Sequence, residues 1–367
     1  MKTVGIIAEY NPFHAGHAYH IRESRCRIGE DCAVIAVMSG DYVQRGEPAI
    51  HDKFTRTRAA LEGGADLVLE LPLSTALSSA EAFGRGAVRL LSCLNVDRLS
   101  FGCETGNLES LAEIAELVAQ RRFIRDVKEE LKRHPEQSFA SARQSTAERA
   151  LGRPLPELRK PNSILAIEYL KALQGTGILP LAVERIGAGH DEIGENDYPS
   201  ASELRRRIRE EGGGPDEALQ EILILDRLRR CGRERFPEGG LGDRLLREIG
   251  RQGSLRTLTA AAASKRYPMA GVRRACLRAA LGLEPEDRQG ETPLKYIRVL
   301  GFRNKGREVL RRGAEVPLLT RAAHVRSLSE EAYGQFACEA AAHDFYRLLN
   351  HLPAPGEDWR HGPVICI

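Results

Sequence analysis

The sequence predicts an α/β domain built on a parallel sheet covered by helices, followed by a mainly α-helical region. Three observations predict it. Short apolar runs at 4–8, 33–38, 66–71 and 98–102 alternate with helix-compatible stretches at 16–26, 52–62 and 79–91. The cluster Gly212-Gly213-Gly214-Pro215 then interrupts the chain, because it sustains neither helix nor strand. Beyond it nearly every stretch carries helical patterning.

The apolar runs are short and nearly continuous, as expected of strands buried on both faces. Strands separated by helices define βαβ units, whose crossovers are right-handed. The expected result is a Rossmann-like domain with its ligand site at the carboxyl ends of the strands. Helices follow over 108–173, including the charge-rich segment 121–133, which reads as a solvated helix or connection. One more strand is expected at 179–186 and a short basic helix at 202–211. Helices at 217–231, 241–251, 255–263, 269–281 and 329–349 complete the chain. The expected division is a first domain over 1–214 and a helical domain over 215–367.

Composition narrows the class. The chain has 367 residues, 42% hydrophobic and 29% charged, which suits a globular protein of about two domains. No run of about 18 apolar residues exists, so neither a membrane span nor a membrane partner is expected. The N-terminus reaches Glu9 too soon for a signal peptide. Eight scattered cysteines form no CxxC pair and no zinc-ligand spacing, so they read as free thiols of a reducing, cytoplasmic setting. Net charge is +3, but residues 200–367 carry an excess of seven positive charges. Residues 251–280 hold seven basic side chains and no acid. Such a surface fits a phosphate-rich partner or a solvated helix face.

The chemistry concentrates after the first strand, in Glu9-Tyr10-Asn11-Pro12-Phe13-His14-Ala15-Gly16-His17. His14 and His17 fall at the start of a helix, three residues apart and on one face, so both imidazoles can address one ligand. Free N–H groups and the helix dipole favour an anion there. Gly16 admits a close approach to the backbone, and Pro12 stiffens the loop. Histidine donors at this point suit an ATP α-phosphate, where they stabilise charge developing on oxygen. The alternative is a pair of helix-end histidines without a ligand.

The pattern His14-x-Gly16-His17 resembles the HxGH signature of nucleotidyltransferases and class I aminoacyl-tRNA synthetases. The resemblance extends further. The stretch Gly5 to His20 looks like the opening of the bacterial tRNA(Met) cytidine acetate ligases, and Met38 to Ala49 like that family's second block. Asp66 to Pro72, Phe101 to Glu104, Lys160 to Ser163, Arg185 to Gly189, Ser200 to Ser202, Lys265 to Pro268 and Leu300 to Gly306 follow in the family's order. Two positions depart from it: Ala15 replaces a usual Asn, and Cys103 a common Ser. An adenylate mechanism needs no thiol nucleophile, so Cys103 is not expected to act as one.

The resemblance implies a two-step reaction. Acetate and ATP form acetyl-adenylate and pyrophosphate, and the acetyl group passes to N4 of the wobble cytidine of elongator tRNA(Met). It implies an ATP site made of Ile7, Ala8, Glu9, Tyr10, Asn11, Pro12, Phe13, His14, Ala15, Gly16, His17, Ala18, Tyr19, His20, Gly102, Asn162, Arg185 and Ile186. His14 and His17 are the expected catalytic residues, and Mg²⁺ is expected to accompany ATP, with ligands the sequence does not name. Read by themselves, Gly102 suits a strand-end turn, Asn162 a helix cap, and Arg185 a surface position or a phosphate contact. Ser200 and Ser202 suit caps of the basic helix or phosphate contacts. Lys265, Arg266, Arg273, Arg274 and Lys305 are the candidates for the tRNA backbone, with no DNA partner expected. Two rivals stand beside this reading: an adenylyltransferase for a small phosphorylated metabolite, and a non-catalytic RNA-binding protein.

Overall fold

The structure is a computed structural model that describes residues 1–104, 107–184, 199–286 and 293–366. Its first half follows the strand–helix alternation. Strand β1 (Thr3–Ala8) leads to helix α1 (Ala15–Ile28) and strand β2 (Ala33–Ser39). A small hairpin, β3 (Tyr42–Val43) and β4 (Glu47–Pro48), precedes α2 (Lys53–Glu62) and β5 (Leu67–Leu71). Helices α3 (Leu73–Ala76) and α4 (Ala80–Ser92) lead to β6 (Arg98–Cys103). Four helices follow, α5 (Leu108–Ala119), α6 (Arg121–Arg133), α7 (Phe139–Leu151) and α8 (Pro161–Leu173), then β7 (Leu179–Glu184).

Strands β5, β2, β1, β6 and β7 lie side by side in that order, all parallel. The order runs outward from β1 in both directions, so β1 and β6 flank the point where the winding reverses. Ligands of such sheets bind in the crevice there. Alternation across β2 explains its unbroken apolar run. Ala33, Ile35 and Val37 pack on one face with Phe83, Leu90 and Leu91 of α4. Val34, Ala36 and Met38 pack on the other with Ile21 of α1 and Phe54, Ala60 and Leu61 of α2. Each face therefore needs apolar side chains, and polar alternation disappears.

The second half is helical first: α9 (Ala201–Glu210), α10 (Glu217–Arg230), α11 (Gly240–Ile249), α12 (Leu255–Ala262) and α13 (Met269–Ala280). Helices α10 to α13 share a core with Phe345 and Leu349 of α15 (Glu330–Leu349), and Tyr42 of the hairpin joins it. The chain then returns to the sheet. Strand β8 (Ile297–Phe302) pairs antiparallel with β5. After α14 (Asn304–Arg311), β9 (Leu318–Leu319) and β10 (Val364–Ile365) both pair parallel with β8. The expected boundary near residue 214 thus does not divide the sheet, which draws strands from both sides of it. The block around Leu300-Gly301-Phe302 is a buried edge-extending strand, not part of a helical unit. Gly301 lets this strand pack closely on α2: a side chain there would strike Thr57 at 2.7 Å and Leu61 at 2.9 Å.

None of the eight cysteines is in a disulfide among the described residues, and Cys103 is fully buried in β6. Among the described residues no helix is long and apolar enough to cross a membrane.

Candidate active site

The loop after β1 is held by buried donors. Arg56, 1% exposed, donates Nη1 to the Glu9 carbonyl (2.7 Å) and to the Ser39 carbonyl (3.0 Å), and Nη2 to that of Gly40. It therefore ties the carboxyl ends of β1 and β2 together. Arg205 of α9 donates to the Asn11 carbonyl at 2.7 Å, and Asn11 Oδ1 accepts from the Ile50 amide at 2.7 Å. Tyr10 sits at φ 48°, a left-handed conformation a bulky residue rarely adopts. Its ring is buried edge-on against Phe13 and His17, and its hydroxyl has no hydrogen-bond partner among the described residues.

The two histidines cap α1. His14 is the N-cap residue, and its Nδ1 accepts from the Gly16 amide at 3.1 Å. His17 Nδ1 accepts in turn from the His14 amide at 3.2 Å. These reciprocal bonds form a capping box made of imidazoles. An accepting Nδ1 carries no proton, so each neutral ring carries its proton on Nε2, as a donor. The rings stack at 3.8 Å between centroids, 27° from parallel. Gly16 has a further reason to lack a side chain: a Cβ there would lie 2.9 Å from His14 Cε1. Both histidines are thus helix-end caps, and the caps set their tautomers.

Beside them opens a cavity of about 470 Å³ at the carboxyl ends of β1, β6 and β7. Of the expected ATP-site residues it brings together Ile7, Ala8, Glu9, Tyr10, Asn11, His14, Gly16, His17, Tyr19, His20, Gly102 and Asn162. Pro12, Phe13, Ala15 and Ala18 do not form its wall. Phe13 turns instead to α2, close enough that a Cβ on Gly63 would lie 2.2 Å from its ring. Arg185 and Ile186 lie outside the described residues. Gly102 is paired with Val183 inside β6 and is not a turn residue. Asn162 stands inside the first turn of α8, where Lys160 is the N-cap and no side-chain cap exists, so its amide is not a cap.

Several wall residues escaped the sequence reading: Gln44, Arg45 and Glu47 of the hairpin, and Phe83, Phe101 and Tyr169. Arg205 also lines the cavity, while Ser200 both lines it and caps α9 through the Glu203 amide at 3.2 Å. The basic run in 202–211 was the signal for Arg205. The family block Met38 to Ala49 contains the hairpin, but gave no sign that these side chains line the cavity. Glu9 Oε1 accepts from the Gln44 amide at 2.7 Å. Burial raises the Glu9 carboxyl above its usual value despite that bond and the charge of Arg45.

The hairpin also touches the basic half. Gly46, at φ +78°, packs so tightly on α13 that a Cβ would lie 2.6 Å from the Arg274 amide and 2.9 Å from Arg273 Cβ. Arg274 Nη1 donates to the Gln44 carbonyl at 3.1 Å. Lys265 and Arg266 immediately precede this helix; Lys265 Nζ donates to the Glu136 carbonyl at 3.0 Å and Arg266 lies over Tyr267. Lys305 is not brought to them. Its Nζ donates to the Glu30 carbonyl at 2.6 Å, at the amino end of β2 and so at the opposite end of the sheet from the cavity.

Among the described residues no cluster of three or more His, Cys, Asp or Glu side chains forms a metal cage. Mg²⁺ that enters on a nucleotide needs none, because it keeps most of its water and is held by phosphates with one or two carboxylates.

This fold with an HxGH helix start at its switch point defines a nucleotidyltransferase, and a family model described as HIGH Nucleotidyl Transferase matches residues 1–234 and 233–358. The tRNA(Met) cytidine acetate ligase of Caldanaerobacter subterraneus subsp. tengcongensis is 34% identical over 390 residues, 95% of each chain. That of Thermoanaerobacter sp. is 34% identical over 404 residues, the whole of both chains. The chain belongs to the tRNA(Met) cytidine acetate ligase family and is an enzyme. The crystal structure of Thermotoga maritima TmcAL bound with alpha-thio ATP superposes with a TM-score of 0.85 at 29% identity, covering 100% of this chain and 99% of that one. The apo form of the same protein superposes with a TM-score of 0.87 at 28% identity and the same coverage.

Proposed function

We propose that the chain activates acetate with ATP as acetyl-adenylate and transfers the acetyl group to N4 of the wobble cytidine of elongator tRNA(Met), giving N4-acetylcytidine. The observation that carries the reading is the stacked His14–His17 pair at the start of α1, on the wall of the 470 Å³ cavity. ATP is the nucleotide we assign to that cavity; the binding of alpha-thio ATP by the similar Thermotoga maritima protein supports a nucleotide of this class.

Acetate is already ionised at neutral pH, so the first step needs alignment rather than a base. An acetate oxygen attacks the α-phosphorus and the bond to the β-phosphate oxygen breaks, releasing pyrophosphate. The Nε2–H groups of His14 and His17 and the amino end of α1 stabilise the charge that develops on the α-phosphate oxygens. Mg²⁺ entering with ATP would supply charge neutralisation for the departing pyrophosphate. Arg205, itself on the cavity wall, supports the loop through the Asn11 carbonyl.

In the second step the cytosine N4 amine attacks the acetyl carbonyl and AMP leaves. A wobble base lies in a single-stranded loop, so it enters the pocket without opening a duplex. Lys265, Arg266, Arg273 and Arg274 hold the tRNA backbone, which supports residues 215–280 as its main platform. The packing of α13 on the hairpin that walls the cavity favours this reading over a small-metabolite adenylyltransferase. Incubation with ATP, labelled acetate and elongator tRNA(Met), followed by nucleoside analysis, tests it. Labelled N4-acetylcytidine is the expected product; AMP release without labelled tRNA would overturn the transfer step.

A further inference from the structure

Asn162 reaches the cavity from the first turn of α8, but its amide is already committed on one side. Its Nδ2 donates to Glu104 Oε1 at 2.8 Å. The fully buried Ser163 donates its hydroxyl to the other carboxylate oxygen, Oε2, at 2.6 Å. A carboxylate only accepts, so turning the Asn162 amide over would set Oδ1 against Glu104. Glu104 is not on the cavity wall and Asn162 is. Nδ2 is therefore committed to Glu104, which fixes the orientation of the amide and sets Oδ1 on its other side, as the acceptor Asn162 has to offer. The neighbouring wall is apolar, made of Phe101, Pro161, Ile164, Leu165 and Val183. Phosphates belong at the amino end of α1, which leaves this apolar part for the flat faces of the base.

We infer that Glu104 sets the base specificity of the site: by holding Asn162 with Oδ1 toward the cavity, it makes the site an acceptor for the 6-amino group of adenine and hostile to 6-oxo purines. The inference rests on the nucleotide-binding part of the reading above, not on acetate or tRNA. Glu104 acts through Asn162 and is a positioning residue.

Calorimetric titration of the full chain with ATP and with ITP tests this, because the two differ at the 6-position, amine against oxo. The unaltered protein is expected to prefer ATP by roughly tenfold or more, about the worth of one hydrogen bond. Glu104→Gln is isosteric, but its amide accepts or donates, so Asn162 can turn. The preference should fall toward unity, with ITP binding gained as ATP binding weakens. Glu104→Asp keeps a carboxylate and should keep most of the preference, and thermal melts of both variants report folding. Glu104→Gln binding both nucleotides more weakly at an unchanged ratio, or loss of preference in Glu104→Asp as well, would overturn the role of Glu104 alone. Failure of the unaltered protein to bind either nucleotide would overturn the nucleotide reading and this inference together.

Discussion

His343 Nδ1 lies 2.7 Å from Asp41 Oδ2, joining α15 to the turn that follows β2, a separation of 302 residues in sequence. The other ring nitrogen, Nε2, is 2.9 Å from Glu357 Oε2. With a carboxylate at each nitrogen, both nitrogens donate and the fully buried ring is an imidazolium. Burial by itself would lower the His343 pKa, but the charge of Asp41 and its hydrogen bond outweigh this and raise it to about 9. For Asp41, burial pushes upward, and His343 and Lys53 outweigh it to leave the carboxyl below its usual value.

Stability should therefore fall at alkaline pH. A histidine raised from 6.5 to about 9 contributes fully below its unfolded value and loses that contribution as pH rises through about 9. The lowered Asp41 works oppositely: its contribution is present above 3.8 and is lost as pH falls below it. A melting series should show a plateau at mildly acidic to neutral pH and a decline above it. His343→Gln should flatten the alkaline decline; an unchanged decline would refute the assignment.

The cap made by His14 and the catalytic role proposed for it are separable. His14→Asn keeps a side-chain acceptor at the N-cap, so the melting temperature should hold, whereas His14→Ala should lose about 0.5–2 kcal/mol. Both variants lack the imidazole donor, and both should slow ATP-dependent adenylate formation by about 10²–10³-fold. Pyrophosphate exchange measured beside thermal melts separates the two. Normal exchange in His14→Asn would assign His14 to capping alone.

Asp358 should be among the most costly residues to remove. It accepts from Lys53 at 2.7 Å and from both terminal nitrogens of Arg298, at 2.7 and 3.0 Å, all three residues being buried. Its carboxyl is held far below the ordinary range: burial opposes this, and the charges of Lys53 and Arg298 prevail. Asp358→Ala leaves two buried cations short of a partner, an expected loss of about 3–5 kcal/mol in urea unfolding. A loss below about 1 kcal/mol would mean that water replaces the carboxylate.

The basic side chains should divide by position. Charge reversal of Lys265 and Arg266 together should weaken tRNA binding and make it less salt-dependent, by about one unit of slope for each phosphate no longer neutralised. Adenylate formation should persist. Lys305→Glu, at the far end of the sheet, should leave tRNA binding close to normal. Filter binding across a salt series measures both, and equal weakening by the two changes would place the RNA elsewhere.

The parallel core was legible because its code is local. A continuous apolar run such as 33–38 reports burial on both faces, and a histidine–glycine–histidine helix start reports its own geometry. The wall residues Gln44, Arg45 and Glu47 were not legible as such, since the hairpin that carries them spans seven residues and has two-residue strands. Strand Ile297–Phe302 escaped for another reason. Its pairing with β5 reaches back some 230 residues, and no local period distinguishes it from a buried helical turn.

The loop after β1, its two histidines and the basic stretch were thus determined by the sequence itself, through residue types at fixed short spacing. Only the tertiary structure decided which atoms of those residues face the cavity. Asn162 donates Nδ2 to Glu104, 58 residues away, which fixes the side from which Oδ1 can serve. Tertiary packing also decided that Arg273 and Arg274 abut the hairpin while Lys305 does not. Spacing along a chain fixes which side chains share a helix face, but hydrogen-bond direction and long-range packing arise only when distant segments meet.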